Sequence, residues 1–195
     1  RFENARDRYR ALGDRKGEAD MLGNLGALSY YLGDYEATIR FTEQAQPMFE
    51  GMGNLAGSAR CLSNLGNSYS ALGAFTEALA CHQLSLGIYE QLEDASSCAD
   101  SYSNLGNAYH ALAVEGLPEL YTATPHLAHE IAEALRCHNE ALSIRREIQA
   151  QSGEAISLFG LGSAHLTIGE LDKADQLLRE AMVLSEQLEL IRLSM

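Results

Sequence analysis

The sequence predicts an all-α protein, a solenoid of antiparallel helix pairs. Three observations carry the prediction. A Leu-Gly pair recurs with its neighbours as Asn24-Leu25-Gly26, Asn64-Leu65-Gly66-Asn67, Asn104-Leu105-Gly106-Asn107 and Gly160-Leu161-Gly162. Leu25, Leu65 and Leu105 are 40 residues apart, and Leu161 follows 56 later, so one insertion of 16 residues restores the period. Apolar and small residues around each pair recur at spacings of three and four, the period of a helix with one buried face. Of the 195 residues, 46% are hydrophobic and 21% charged, a mixture suited to packed units rather than a disordered chain.

Each unit reads as two helices joined by a tight turn. Residues 1–16 are the tail of a preceding unit, because counting back 20 from Leu25 lands on Ala5. In residues 17–56 the turn is Gly33-Asp34-Tyr35, with Asp34 placed to cap the second helix. Pro47 lies inside that second helix and is expected to kink or end it, since it removes the bond to the Glu43 carbonyl. In residues 57–96 the first helix presents Leu62, Leu65, Gly66, Tyr69 and Leu72 on one face. Gly73 ends it as a residue that tolerates positive φ, and Phe75, Ala78, Leu79, Leu86, Tyr89 and Leu92 mark its partner. Small residues at Gly66, Ala78 and Ser85 permit close helix crossing.

Residues 97–152 form a third unit with the insertion near 114–129. Gly116, Pro118 and Pro125 predict a loop at its start, and residues 126–133 prolong the helix that follows. Residues 153–190 are a fourth unit, with Gly169-Glu170-Leu171 at its turn, and 191–195 the start of a further helix. One hairpin cannot bury its apolar face alone, whereas stacked copies make a surface with a concave and a convex side.

Charge and composition narrow the function. Fourteen basic residues against 27 acidic ones give a formal charge of −13, which argues against nucleic-acid binding. No apolar stretch approaches the ~18 residues of a membrane span. The first residues, Arg1-Phe2-Glu3-Asn4, carry neither Met nor a signal core and read as a piece of a longer protein. Cys61, Cys81, Cys98 and Cys137 form no CxxC and read as reduced, buried thiols of a cytoplasmic protein.

The pattern Asn-Leu-Gly-Asn-x-Tyr, then Gly-Asp-Tyr or its variants, then two Ala positions, resembles the tetratricopeptide repeat. The 40-residue period is most similar to that of Partner of Inscuteable polarity adaptors and of arrays in large bacterial signalling proteins. The resemblance implies a right-handed superhelix whose first helices line the concave side. Ala27 and Ser163 replace the second Asn, Thr38 a small Ala, and His165 the Tyr. On this resemblance the groove positions are Asp20, Arg60, Asp100 and Ile156; Asn24, Asn64, Asn104 and Gly160; and Ala27, Asn67, Asn107 and Ser163.

Asn64, Asn67, Asn104 and Asn107 would then form an amide ladder. Side-chain amides both donate and accept, so they can pair with the main chain of a peptide of any sequence. The alternative is that they bond neighbouring helices and hold the stack. Asp20, Arg60 and Asp100 would read the partner's charges, and Tyr31 and His110 would add contacts. The matching positions of a terminal-carboxylate clamp hold Gly23, Ser63 and Ser103, with no Lys. No Lys or Arg occurs between Cys61 and Leu135, a stretch with nine acidic residues, so a basic or mixed-charge peptide is the expected partner.

Cys81-His82 and Cys137-His138 occupy matching places, but successive helix residues point ~100° apart and suit packing better than one metal ion. His126, His129 and Glu130 lack a metalloprotease spacing, and no phosphate loop or nucleophile elbow appears. The reading is therefore a non-enzymatic scaffold without cofactor or metal that holds an extended or helical peptide. Its alternative is a spacer or sensor arm of a larger regulator, able to associate end to end.

Overall fold

The computed structural model describes residues 8–115 and 125–194, except the side chains of 125–127 and 190–194. A short helical turn at 8–11 precedes α1 (Arg15–Tyr31), α2 (Tyr35–Gly51), α3 (Leu55–Ala71) and α4 (Phe75–Gln91). These fall in one compact unit, Arg1–Glu93. The second unit, Asp94–Met195, holds α5 (Ala95–Glu115), α6 (Pro125–Glu147), α7 (Gln151–Thr167) and α8 (Leu171–Ser194). All regular structure among the described residues is helical.

One turn design recurs. Asp34 N–H donates to the Ser29 carbonyl and Gly33 N–H to that of Tyr30, closing α1 with Gly33 at φ 77°. The same pair of bonds follows α2, α3, α6 and α7. It satisfies carbonyls that a helix end leaves open and reverses the chain in three residues. The Asp34 side chain then accepts from Ala37 N–H at 2.9 Å, as the sequence predicts, and Asp14, Asn54 and Asp94 cap α1, α3 and α5 likewise. Ala74 and Ala150 stand at the corresponding places before α4 and α7, where no side chain caps.

In the first unit the core joins α1, α2 and α3 through Ala19, Leu22, Ala45, Phe49 and Cys61. In the second, Leu142, Leu158, Leu161 and Ala181 join α6, α7 and α8. Pro47 does not end α2, which runs through it to Gly51. Both Pro47 and Glu43 are exposed, so the missing bond falls on the solvent side of the helix, where water can serve the carbonyl.

The insertion begins with one more turn of α5, and α6 starts at Pro125, a favoured first helical residue. Gly116 and Pro118 lie outside the described residues. A separate helix at 191–195 is not formed, because α8 continues to Ser194. A turn in register would put Glu189 where Gly53 and Gln149 adopt positive φ, at a conformational cost that docking of the next helix offsets elsewhere.

Candidate functional site

The Leu-Gly glycines fix how each first helix sits on its second. Gly26 packs against Thr42, Gly66 against the His82 ring, Gly106 against the His138 ring and Gly162 against Leu178. A Cβ on Gly66 would stand 2.5 Å from His82, so only glycine allows that approach. With this edge turned inward, Asn24, Asn64, Asn67, Asn104 and Asn107 stand exposed or half-buried, whereas Gly160 of α7 is buried against the His138 ring and departs from the expected groove face.

In the first unit, Arg60, Asn64 and Asn67 occupy α3 at intervals of four and three and share one face. Arg60 is exposed, and Asn64 and Asn67 are half-buried. On α1, Asp20 is half-buried and Asn24 exposed, while Tyr31 is 85% exposed at the helix end. The Tyr31 ring meets Tyr30 edge-on, with centroids 6.2 Å apart. Among the described residues, neither Asp20 nor Arg60 is ion-paired.

The second unit repeats the face on α5 with Asp100, Asn104 and Asn107, but its acid is engaged. Arg145 Nη2 donates to Asp100 Oδ1 at 2.8 Å. The Arg145 side chain is 5% exposed and that of Asp100 69%. The Arg145 Nη1 group also donates to Ser103 Oγ, the Gly153 carbonyl and Ser157 Oγ at 2.8–2.9 Å. A buried guanidinium needs this many acceptors to offset its lost hydration. Asp100 is thus a counter-ion with one oxygen turned outward rather than a free reader of charge. His110 lies further along α5, its Nε2 2.7 Å from Thr167 Oγ1, and burial lowers its pKa below the usual imidazole value.

The amides of Asn24, Asn64, Asn67, Asn104 and Asn107 make no side-chain hydrogen bond within the described residues. Arg145 was not singled out by the sequence. Its signal lay in the register: Phe49 and Tyr89 hold the matching places in earlier repeats, and Gly153 follows as Gly57 follows Phe49. A second feature is also new. Ile156, at an expected groove position of α7, and Phe159 beside it are 55% and 62% exposed. With Leu178, Met182 and Ser185 they line an apolar cavity of about 540 Å³.

The four cysteines are free thiols; Cys81 is half-buried and the other three are buried, a correction to the expectation that all are. Burial pushes the Cys61 and Cys137 thiols up to about 11, which keeps them protonated and unreactive. Among the described residues, no three His, Cys, Asp or Glu side chains are grouped to hold a metal ion, and no helix is long and apolar enough to cross a membrane.

Comparison with known proteins agrees with this architecture. Tetratricopeptide-repeat profiles match residues 58–95 and 157–191. No curated protein sequence matches the chain. Among solved structures, BtubC (BKLC) from P. vanneervenii superposes with a TM-score of 0.73 over 90% of this chain, at 18% identity. The apo form of RapI does so at 0.73 over 88%, at 17% identity. The chain spans 66% of the first protein's length and 57% of the second's. At these identities the likeness concerns the fold, an all-α solenoid of antiparallel helix pairs. The repeated Leu-Gly hairpins, both profile matches and the structural neighbours support a tetratricopeptide-repeat array.

Proposed function

We propose that each unit holds a peptide segment of a partner protein against the outward face of its first helices, without catalysis. The observation that carries this is the set of amides at Asn64, Asn67, Asn104 and Asn107. They lie at least partly open to solvent and are not spent on other described residues. A side-chain amide with free donors and acceptors can pair with a peptide main chain. Had these residues served to lock the helices together, their amides would be bonded across helices.

Charge preference belongs to the first unit in this reading. Asp20 and Arg60 offer one charge of each sign that no described residue pairs, which suits a mixed-charge segment. In the second unit Arg145 has neutralised Asp100, so Asn104 and Asn107 bind there with little electrostatic selection. Tyr31 supplies an open aromatic face at the end of α1, and His110 is committed to Thr167.

A displayed library of random peptides, selected on the wild-type chain, supplies ligands for the test. Asn64→Ala/Asn67→Ala and Asn104→Ala/Asn107→Ala are expected to lower affinity at least tenfold for peptides held by the respective unit. Far-UV circular dichroism and melting temperature should stay unchanged. Unaltered affinity in both folded variants would overturn the reading.

A further inference from the structure

Two repeats seal a histidine into the junction between their helices. His82 on α4 and His138 on α6 are each 1% exposed. His82 lies over Gly66, and His138 lies between Gly106 on α5 and Gly160 on α7. None of the four ring nitrogens has a hydrogen-bond partner among the described residues. A neutral imidazole carries one donor and one acceptor, so each ring forfeits both on burial. Packing alone does not require this. The same register position holds Thr42 over Gly26 and Leu178 over Gly162, and the Thr42 hydroxyl donates to the Thr38 carbonyl. Leucine fills the space with no polar atom to orphan. What histidine adds is the capacity to take up a proton.

We infer that His82 and His138 are acid-sensitive joints, closed while the rings are neutral and loosened when they are protonated. Protonation would weaken the packing of α3 on α4, and of α6 on α5 and α7.

No hydrogen-bond acceptor reaches either ring among the described residues. The ionisable groups of the two helices at the His82 joint are Arg60, Cys61 and Tyr69 on α3 and Glu77, Cys81, Tyr89 and Glu90 on α4. Glu43 of α2 is turned to Tyr69 and Cys81. Burial alone pushes the His82 ring down to about 4. At the His138 joint the ionisable groups of α5 are Cys98, Asp100, Tyr102, Tyr109, His110 and Glu115. The described side chains of α6 add His129, Glu130, Glu133, Arg136, Cys137, Glu140, Arg145, Arg146 and Glu147, and α7 adds Glu154 and His165. Asp100 is held by Arg145, Glu133 by Arg136, and Glu154 by Arg146. Burial first, then His110 and Arg145, push His138 down to about 4.

The sign follows. The unfolded ring takes its proton near 6.5, the folded ring only near 4. Stability from the neutral ring is complete above about pH 6.5, falls as the pH drops toward 4, and does not return below it. That gap corresponds to a folding constant lower by on the order of a hundredfold per joint.

The test is urea unfolding, followed by circular dichroism between pH 7.5 and 4, of the wild type, His82→Leu, His138→Leu and the double variant. The 27 acidic residues titrate in all four, so differences from wild type isolate the two rings. The wild type should lose stability relative to each single variant by on the order of a hundredfold, and the double variant should show the flattest profile. Parallel profiles for wild type and variants would overturn the proposal. Should a leucine variant not fold, His82→Thr or His138→Thr, after Thr42, takes its place. Ring proton resonances of the wild type give an independent readout. They should stay unshifted through pH 6.5 and move only as the fold opens; titration near 6.5 within the folded protein would refute the inference.

Discussion

The junction between α2 and α3 in the first unit and that between α6 and α7 in the second share a backbone plan and differ in chemistry. In each, a second helix drives one side chain against a glycine in the first turn of the next helix. In the first unit that side chain is Phe49, whose ring would lie 2.5 Å from a Cβ on Gly57. In the second it is Arg145, whose Nε would lie 2.6 Å from a Cβ on Gly153. Both are buried, Phe49 completely and Arg145 with 4% left exposed. The difference shows that the repeat specifies a filled volume and leaves its polarity open, provided a polar occupant brings its own partners. Phe49 packs with Ala19, Leu22, Ala45 and Cys61. Arg145 instead gathers Ser103, Ser157, the Gly153 carbonyl and Asp100.

The largest effect is expected from emptying the apolar junction. Phe49→Ala should cost about 3–5 kcal/mol, because the glycine wall of Gly57 and the alanines around it cannot collapse into the space. Urea unfolding measures it. A loss under about 1 kcal/mol would mean that α2 and α3 do not depend on this side chain, and the comparison would fail at its first term.

The polar junction should respond less to deletion and hardly at all to an isostere. Arg145→Ala leaves a cavity and three acceptors without their donor, at about 2–3 kcal/mol. The charge it strands, on Asp100, is already in water, so the penalty of an unpaired buried ion does not arise. Arg145→Met fills the same space without a charge to desolvate and should lie within about 1 kcal/mol of the wild type. If Met proves as damaging as Ala, the hydrogen bonds rather than the volume hold α6 on α7. The first unit would then differ from the second in kind.

Much of this was legible in the sequence. The period of the Leu-Gly pair fixes the helix pairs because that glycine must face a side chain of the second helix, whichever residue supplies it. Asp34 as a cap and Gly73 as a left-handed terminus are local chemistry, readable from a few adjacent residues. Three features were not readable. Arg145 reaches partners 42 and 45 positions away on α5, so its inward course depends on tertiary packing. Asp100 looked like a free acid because that partner was hidden. Pro47 looked like a helix breaker because the rule concerns a lost bond, whereas the outcome depends on whether the freed carbonyl faces core or water.

The smallest prediction concerns the turns that set the two junctions in place. After α2 the left-handed residue is Gly53, at φ 67°; after α6 it is Gln149, at φ 57°. Two terms of opposite sign decide what an exchange does. A side chain in this region clashes with the following carbonyl, at about 1–2 kcal/mol, whereas glycine loses more backbone entropy on folding, at about 0.5–1 kcal/mol. Gly53→Ala should therefore destabilise by about 0.5–1 kcal/mol, and Gln149→Gly should stabilise by a similar amount. Both positions are exposed and a Cβ on Gly53 meets no other atom, so packing does not enter. Shifts in urea midpoint at unchanged slope would measure both effects. Opposite shifts of similar size would show that the two turns are one device with different residues. A Gln149→Gly variant less stable than wild type would show that the glutamine side chain contributes to its turn, and that the second unit departs from the first there as well as at Arg145.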